Sequence, residues 1–417
     1  MKNKAVITGV GVISPIGKTV EEFWKNTKAG KSGVRRVERF DPERFTSQIA
    51  AQVENFAPED YMDKKEARRS DLIQQYAMAA AEMAVKDSGL DLEKQDKSKV
   101  GVVTGSGIGG IDTFEKYHGL YLEKGPGKVS PFFIPMMIID MIPGLISIRF
   151  GFTGPNYSTV SACASSAHAI ADAMRLVERG DVDVMVTGGA EASVTEMAFA
   201  GFCSSRALST RNDDPDTASR PFDKDRDGFV IGEGAAILIV ESEKHARERG
   251  AHIYADLLGV GMTADAYHMT APAPDGDGAG RAMTSAVADA GLQLTDVDYI
   301  NAHGTSTPLG DIAETVAIKN VFGEHARKLM VNSTKSMLGH MLGGAGAIEA
   351  VATALALEHG YIHRTMNVIN QDPECDLDYV TEGGRELEIK VGLSNSFGFG
   401  GHNITLALGR HQDSQSR

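Results

Sequence analysis

The stretch Ser158-Thr-Val-Ser-Ala-Cys163, followed by the small side chains of Ala167-His-Ala-Ile170, predicts a strand, a polar turn and a helix. The stretch Val331-Asn-Ser-Thr-Lys335, followed by Ala345-Gly-Ala-Ile348, has the same order of features. A helix with small side chains nearly all round can pack closely on every side, so both helices are expected in a buried layer between sheets. The likeness of the two stretches predicts a duplicated half, with the polar, glycine-terminated segment 241–250 as the boundary.

Strand-like runs alternate with helix-like segments along the rest of the chain, which is typical of a layered α/β fold with largely buried sheets. Glycines, 46 in all, cluster where strands are expected to end, and functional residues are expected at those ends. We predict an N-terminal half over residues 1–250, a C-terminal half over 251–412 and a tail over 413–417. The predicted strands include 100–104, 182–187, 235–241, 297–302 and 329–333.

The composition narrows the possible functions. Of 417 residues, 42% are apolar and 24% charged, which is ordinary for a globular protein. Lys and Arg number 42 against 56 Asp and Glu, and the net charge of −14 argues against nucleic acid as a general partner. Three widely spaced cysteines suit neither a disulfide framework nor a zinc knuckle, and no run approaches the ~20 apolar residues of a membrane span. We expect a soluble, cytoplasmic protein without a signal peptide.

The run Gly105-Ser-Gly107-Ile-Gly-Gly110 matches the dinucleotide-binding pattern G-x-G-x-x-G and follows a predicted strand. That strand is not the first of a βαβ unit, and no acidic residue ends a second strand about 20 positions further on, as this fingerprint requires. A dinucleotide-binding oxidoreductase is therefore the weaker alternative, and no cofactor is expected.

The run Asp223-Lys-Asp225-Arg-Asp227-Gly228 copies the first half of a calcium-binding loop. Gly234 stands where such a loop needs its bidentate glutamate, and Glu233 lies one residue short. A charged turn before a buried strand is the preferred interpretation. Because neither HExxH nor paired CxxC spacing occurs, a metal catalyst is not expected either.

Cys163 stands at the start of the first small-residue helix. A thiol at a helix N-terminus is expected to have a lowered pKa, because the free N–H groups and the helix dipole stabilise the thiolate. The alternative is a buried small hydrophobic residue, as most single cysteines are. His303 and His340 both follow predicted strands in glycine-rich or hydroxyl-rich turns, where a ligand can approach the backbone closely. These three residues are the candidate catalytic set.

Five blocks of the chain form a recognisable set of motifs. They are Ser161-Ala-Cys-Ala-Ser-Ser166, Arg220-Pro-Phe-Asp-Lys-Asp-Arg-Asp-Gly-Phe-Val-Ile-Gly-Glu-Gly234, Asn301-Ala-His-Gly-Thr-Ser-Thr-Pro308, Ser333-Thr-Lys-Ser-Met-Leu-Gly-His340 and Asn395-Ser-Phe-Gly-Phe-Gly-Gly401. These blocks resemble the signature motifs of the β-ketoacyl-[acyl carrier protein] synthases, which are condensing enzymes, and most closely their elongating type II subclass. The resemblance implies a duplicated thiolase-like fold of five layers (αβαβα), a homodimer, and decarboxylative condensation with malonyl-[acyl carrier protein] in fatty acid elongation.

The resemblance assigns the chemistry to particular residues. Cys163 corresponds to the nucleophile that carries the acyl chain, and the oxyanion would be held by its own N–H and that of Phe399. His303 and His340 correspond to the pair that binds the malonyl carbonyl while carbon dioxide leaves. These roles make the set a Cys-His-His catalytic centre.

Further assignments concern the surroundings of this set. Lys335 corresponds to the motif lysine, and Glu314 is its expected ionic partner. Phe399 resembles a gate between acyl pocket and malonyl site, with the flanking glycines as its hinge. The family usually continues this loop with Thr-Asn, whereas this chain has His402-Asn403, which leaves the detail of the gate loop open. By the same resemblance, Thr305 and Thr307 would bind the phosphopantetheine arm, and Ile108 and Phe202 would line the acyl pocket.

A basic run, Lys64-Lys65-Glu-Ala-Arg68-Arg69, occurs in this acidic chain just before a predicted helix. Cations at that end oppose the helix dipole, so local stability does not account for them. The run is either an ordinary solvated face or, together with Arg206, the docking site for an acidic acyl carrier protein that its position in the family implies. Docking is the preferred hypothesis.

Related activities are disfavoured by particular residues. A thiolase would need a second cysteine near its C-terminus, and the loop 395–401 has none. An initiating synthase would have asparagine in place of the second histidine, and a chain-length-factor subunit would lack Cys163. A non-catalytic partner subunit is an alternative that labelling of Cys163 can test. The sequence does not fix acyl chain length or choose between a fatty acid and a polyketide-like pathway.

Overall fold

The computed structural model describes residues 2–412, so the predicted tail at 413–417 lies outside the described residues. Strands and helices alternate along that part of the chain, which confirms the α/β prediction. The strands are β1 Ala5–Ile13, β2 Val34–Arg36, β3 Ile49–Ala51, β4 Val100–Gly105, β5 Asn156–Thr159, β6 Val184–Glu191, β7 Ile231–Gly232, β8 Gly234–Ser242, β9 Ala255–Ala264, β10 Tyr299–Asn301, β11 Met330–Asn332, β12 Tyr361–Ile362, β13 Arg385–Glu386, β14 Val391–Gly398 and β15 His402–Gly409. The helices are α1 Val20–Ala29, α2 Lys64–Ala67, α3 Leu72–Ser88, α4 Ile111–Lys124, α5 Phe133–Met137, α6 Met141–Phe150, α7 Ser165–Arg179, α8 Glu196–Ser204, α9 Glu243–Glu248, α10 Asp277–Asp289, α11 Pro308–Phe322, α12 Lys335–Leu338 and α13 Ala345–His359.

The same strand order occurs twice in one ten-stranded sheet. The first half runs β5-β4-β6-β8-β1 and the second runs β11-β10-β14-β15-β9, so both halves have the third, second, fourth, fifth and first of their own strands in that order. The halves are joined where β1 pairs with β9 over residues 5–7 and 255–257. This repetition confirms the predicted duplication, while the division at residue 250 stays a prediction.

The helices lie in three layers around the two sheet halves. Helix α3 packs on β1 and β8 of the first half, and α10 packs on β9 and β15 of the second. Helices α7 and α13 contact each other and strands of both halves, so they form the central layer. The sheets are buried on both faces: in β8, Ala236, Leu238 and Val240 face the central helices, and the alternate residues face α3. The result is the predicted order αβαβα.

Small side chains let the two central helices touch near their N-termini. A Cβ atom added at Gly346 of α13 would lie only 2.8 Å from the Cβ atom of Ala167 in α7. Close by, the N–H of Ala347 donates to the hydroxyl of Ser166 at 2.9 Å. The starts of both helices therefore meet between the sheets, where the turn with Cys163 precedes α7 and the motif with His340 precedes α13.

The direction of the strands brings the remaining motifs to one edge of the sheet. Strand β10 is parallel to both β11 and β14, so the segments after these three strands emerge at one edge. They contain His303, His340 and Phe399 respectively. Among residues 2–412, every helix is too short or too polar to cross a lipid bilayer.

Candidate active site

One cavity of 540 Å³ is lined by residues from both halves. Cys163 comes from the first half, and His303 and His340 come from the second. The three residues that the sequence selected are therefore brought together. The other predicted residues along the same cavity are Ile108, Phe202, Arg206, Thr305, Thr307, Glu314 and Phe399.

The nucleophile candidate sits in a strained turn between β5 and α7. Ala162 has φ of 50°, a left-handed conformation that costs a non-glycine residue about 1–2 kcal/mol and aims the next side chain into the cavity. Burial raises the pKa of Cys163 to about 12, although the charge of Lys335 and the N–H groups of Phe399 and Cys163 itself act in the opposite direction. The predicted lowering of this pKa is therefore wrong, because loss of solvent outweighs the stabilisation at the helix N-terminus.

The two N–H groups directed at the Cys163 sulfur are those expected to hold an oxyanion. Their geometry depends on Gly398, where an added Cβ atom would lie 2.7 Å from the carbonyl oxygen of Ser161 and 3.1 Å from the nitrogen of Cys163. The end of β14 and the turn that carries Cys163 are therefore in direct backbone contact. A side chain at position 398 would push them apart.

The two histidines face each other inside the cavity. Their ring centroids are 5.3 Å apart with the rings nearly perpendicular, and the ring of Phe229 packs edge-on against His340 at 5.3 Å. Burial, and then the nearby charge of Lys335, holds the pKa of both His303 and His340 well below the ordinary value. Both rings are therefore neutral at physiological pH, and each has one N–H to donate.

Lys335 lies beneath the histidines at the start of α12, and its ionic partner differs from the one that the sequence suggested. Its ammonium group pairs with Glu349 of α13, and both side chains are almost completely buried. The predicted pairing with Glu314 is wrong, because α13 runs through the central layer and places its carboxylate directly at Lys335. Glu349 is a carboxylate in a run of small residues, and that isolation was the signal that could have identified it.

Glu314 instead holds the turn that carries His303. Its two oxygens accept hydrogen bonds from the N–H groups of His303 and Gly304 at 2.9 and 2.8 Å, and the amide of Asn395 donates to it at 3.1 Å. Burial raises the pKa of Glu314, while these three donors act against that rise. Glu314 therefore holds the backbone of His303, a candidate catalytic residue.

The glycine-rich loop after β4 is explained by a residue that sequence reasoning missed. The buried carboxylate of Glu191, at the end of β6, accepts from the N–H groups of Gly107, Ile108 and Gly343 at 2.8, 3.2 and 3.0 Å. These loop N–H groups are the ones that a phosphate would need. Because an internal acceptor already occupies them, the structure does not support the dinucleotide-binding alternative.

Thr305 and Thr307 form a pair at the cavity wall. Their hydroxyl oxygens are 3.0 Å apart, so the two side chains present one polar point to the cavity. Ser306 between them has φ of 68°, which is a strained conformation for a residue with a side chain. Contacts with the surrounding structure therefore hold this turn, because its backbone conformation is intrinsically unfavourable.

The loop that carries Phe399 is closed against a neighbouring loop. The N–H of Gly400 donates to the carbonyl of Met269 at 2.7 Å, and the N–H of Asp265 donates to the carbonyl of Gly401 at 3.0 Å. The ring of His402 lies over Gly400, where an added Cβ atom would be 3.0 Å from its Nε2 atom. The family usually has threonine at position 402, so this difference places an imidazole ring against the loop that carries Phe399.

The basic cluster, defined as Lys64, Lys65, Arg68 and Arg69, lies on and just after the short helix α2. All four side chains are exposed, and no ion pair joins any of them to a carboxylate in residues 2–412. The guanidinium of Arg69 lies 4.3 Å above the ring of Phe132. Arg206 is also exposed and lies at the cavity wall. The cluster thus presents unpaired positive charge to solvent.

Comparison with known proteins decides the family. The model of the beta-ketoacyl synthase N-terminal domain matches residues 2–246, and that of the C-terminal domain matches residues 254–369. The chain belongs to the β-ketoacyl synthase family. The synthase is 52% identical over 405 residues to 3-oxoacyl-[acyl-carrier-protein] synthase 2 of Staphylococcus aureus, covering 97% of this chain and 98% of that one. It is 50% identical over 411 residues to the enzyme of the same name in Synechocystis, covering 99% of each chain.

Solved structures agree with the fold. The synthase superimposes on a β-ketoacyl synthase from Burkholderia phymatum with a TM-score of 0.92 and 36% identity, covering 99% of this chain and all of that one. It also matches a type II polyketide ketosynthase that was solved in complex with its acyl carrier protein, with a TM-score of 0.90, 35% identity and the same coverage. The predicted thiolase-like condensing-enzyme fold is confirmed.

Proposed function

We propose that the synthase is a 3-oxoacyl-[acyl carrier protein] synthase of fatty acid elongation that joins an acyl chain on Cys163 to malonyl-[acyl carrier protein]. The observation that carries this proposal is the meeting of one thiol and two neutral histidines in a single cavity. The names of the relatives that are about half identical to this chain support the same reaction.

The first half-reaction transfers the acyl group. The sulfur of Cys163 attacks the thioester carbonyl of the acyl carrier, and the oxyanion is stabilised by the N–H groups of Cys163 and Phe399. When the tetrahedral intermediate collapses, the bond to the carrier sulfur breaks. The carrier thiol leaves with the proton that Cys163 gives up. The acyl chain then occupies the apolar end of the cavity beside Ile108 and Phe202.

The second half-reaction forms the carbon–carbon bond. His303 and His340 donate N–H hydrogen bonds to the malonyl thioester oxygen, so that negative charge builds there as the bond to the carboxylate breaks and carbon dioxide leaves. The resulting enolate carbon attacks the acyl carbonyl on Cys163. The bond between the acyl carbonyl carbon and the Cys163 sulfur breaks, the sulfur takes up a proton from solvent, and a 3-oxoacyl chain two carbons longer stays on the carrier. Phe399 moves to admit the malonyl group, and Thr305 with Thr307 binds the pantetheine arm.

The substrate is delivered by an acyl carrier protein that docks at the basic cluster. Four exposed cations, none of them in an ion pair within residues 2–412, complement an acidic surface, and Arg206 adds a further exposed cation at the cavity wall. The complex between a related ketosynthase and its carrier supports this mode of delivery. The reaction takes place in the cytoplasm.

The synthase works as a homodimer that pairs through β5. This strand forms an edge of the ten-stranded sheet, so one row of its N–H and C=O groups is open to a further strand. Large apolar side chains are exposed on and beside it at Tyr157, Val160 and Ile148. A second copy that adds its own β5 would cover them. Sedimentation of the purified protein measures its oligomeric state directly, and a monomer would contradict the proposed homodimer.

Cys163→Ala tests the proposed function. Acyl transfer and condensation should be lost, while slow decarboxylation of malonyl carrier continues because His303 and His340 are intact. Cys203→Ala is the matched control, since it removes another thiol near the cavity without touching the proposed chemistry. Formation of 3-oxoacyl product by the Cys163 variant would overturn the assignment.

A further inference from the structure

The motif Arg220-Pro-Phe-Asp-Lys-Asp-Arg226-Asp-Gly228 supplies none of the proposed catalytic groups, yet it is packed against the site. Its carboxylates accept hydrogen bonds from the chain itself: Asp223 accepts from the N–H groups of Ile369 and Asn370, both at 2.8 Å. The motif runs behind the turn that carries Thr305 and Thr307. Its backbone binds that turn through Ser306, whose carbonyl accepts from Gly228 N–H at 3.1 Å and whose hydroxyl accepts from Arg220 N–H at 3.0 Å.

Arg226 makes the most extensive contact with this turn. Its Nε donates to the carbonyl of Thr307 at 3.0 Å, and its Nη2 donates to the carbonyl of Pro308 at 2.7 Å. Its Nη1 donates to the carbonyl of Asp223 at 2.6 Å and to the carboxylate of Asp372 at 2.7 Å. The side chain is only 2% exposed, so these bonds are made without competition from water.

The planar guanidinium is suited to this task because one rigid group spans two successive carbonyls of the turn and three further partners. These are the carbonyl of Asp223 and the carboxylates of Asp372 and of the fully buried Asp311, the last at 3.3 Å from Nε. Ser306 is in a strained left-handed conformation, so the turn needs such external bonds to keep its shape. The hydroxyls of Thr305 and Thr307 keep their 3.0 Å separation only while that shape is kept. A lysine at position 226 could satisfy the charge but could not span the same carbonyls.

We propose that Arg226 is a positioning residue for thioester-arm recognition: its guanidinium fixes the Thr305–Thr307 turn and so sets how tightly the pantetheine arm is held. This inference rests on the proposed function, because it assigns the arm to that pair of hydroxyls. Arg226 itself does not line the cavity. Its effect on the substrate therefore passes through the turn.

Arg226→Lys in the full-length protein tests the inference. The KM for malonyl carrier should rise by about ten- to hundredfold, the effect of losing hydrogen bonds to a charged donor, while kcat changes by less than about threefold. Alkylation of Cys163 by iodoacetamide, which needs no pantetheine arm, should keep its wild-type rate. Arg249→Lys is the matched control: this partly buried arginine binds Glu241 and the carbonyl of Ser88 at the opposite edge of the sheet, and its variant should keep the wild-type KM.

Two further variants keep the inference testable if Arg226→Lys folds poorly. Asp372→Asn weakens the bond that holds the Arg226 guanidinium on the side away from the turn. The KM for malonyl carrier should therefore also rise, by a smaller factor than in Arg226→Lys. In a double-mutant cycle, Thr307→Val and Asp372→Asn should be clearly non-additive in KM, because both act on one turn, the second through Arg226. Additive effects, or an unchanged KM in a folded Arg226→Lys protein, would overturn the positioning role. Wild-type protein without condensation activity would instead overturn the proposed function.

Discussion

Lys335 and Glu349 form an ion pair beneath the two histidines, with side chains only 2% and 1% exposed. Burial raises the pKa of Glu349 to about 7, and the charge of Lys335 acts against that rise. The same charge adds to burial in lowering the pKa of His303 and His340. Burial and, after it, the charge of Lys335 thus keep the rings of His303 and His340 neutral.

The pH dependence of decarboxylation follows from this arrangement. In the wild type, activity should stay level as pH falls from 8 past the ordinary histidine pKa of about 6.5, because both rings resist protonation. Lys335→Met removes a nearby positive charge, so the pKa of both rings rises and the acidic loss of activity moves to higher pH. Carbon dioxide release from malonyl carrier between pH 5 and 8 measures the shift.

Glu349→Gln is the control of opposite sign. This variant leaves Lys335 without its counter-ion, so the pKa of His303 and His340 should stay low. The loss of activity at acidic pH should therefore not move to higher pH. Breaking a buried pair costs about 3–5 kcal/mol, so both variants are compared at a temperature where each is folded. An equal upward shift in both variants would show that the charge of Lys335 does not govern the rings.

Charge reversal at the basic cluster should weaken carrier docking. Lys65→Glu with Arg68→Glu is expected to raise the KM for acyl carrier by on the order of tenfold and to flatten its salt dependence, since the attraction is screened over ~10 Å at 0.1 M salt. Acylation by a coenzyme-type thioester should change little. Steady-state kinetics with both substrates at several salt concentrations gives the comparison.

A pair of exposed lysines elsewhere provides the matched charge control. Lys328 and Lys390 lie just before β11 and β14, at the strand ends remote from the cavity. Reversing both charges alters the net charge equally and should leave carrier kinetics unchanged. If the cluster variant lost both activities equally, or neither, the basic cluster would be only a structural or solvated face.

Glu191→Ala should destabilise the glycine-rich loop. The change removes the acceptor of the N–H groups of Gly107, Ile108 and Gly343, and the buried N–H of Gly343 alone costs about 1–3 kcal/mol when it is left unsatisfied. Thermal unfolding should therefore occur at a clearly lower temperature than in the wild type.

Titration of the wild type with NADH should show no saturable binding, and saturable binding would revive the oxidoreductase alternative.

His402→Thr should loosen the closed gate loop. The imidazole covers Gly400, whose N–H bonds to Met269, and threonine is too short to cover it. Amide hydrogen exchange at Gly400 should be faster in the variant, while exchange in the buried strand β8 stays unchanged. Equal exchange at Gly400 in both proteins would show that the ring does not hold the loop.

The sequence predicted the fold where local pattern and packing agree. Strands such as β4 and β8 are mostly apolar and fully buried, and the small residues of α7 and α13 indicated their central position. The sequence could select Cys163 and both histidines as the candidate set, which lines one cavity, because all three stand in motifs at strand ends. These features are local, so a single stretch of sequence contains them.

Errors occurred where distant segments decide the outcome. The partner of Lys335 depends on how α13 crosses beneath α12, which spacing along the chain does not reveal. The pKa of Cys163 depends on how completely the cavity excludes water, and the helix N-terminus alone gave the wrong direction. Glu191 binds a loop more than 80 residues earlier in the chain, so no local pattern linked them.

Mass spectrometry of the acyl-enzyme tests the central claim most directly. After the synthase is mixed with acyl carrier, the peptide that contains Cys163 should gain the mass of the acyl group. Addition of malonyl carrier should then remove that mass and yield carbon dioxide with a 3-oxoacyl carrier two carbons longer. An acyl group on another residue, or one that malonyl carrier does not discharge, would contradict the account.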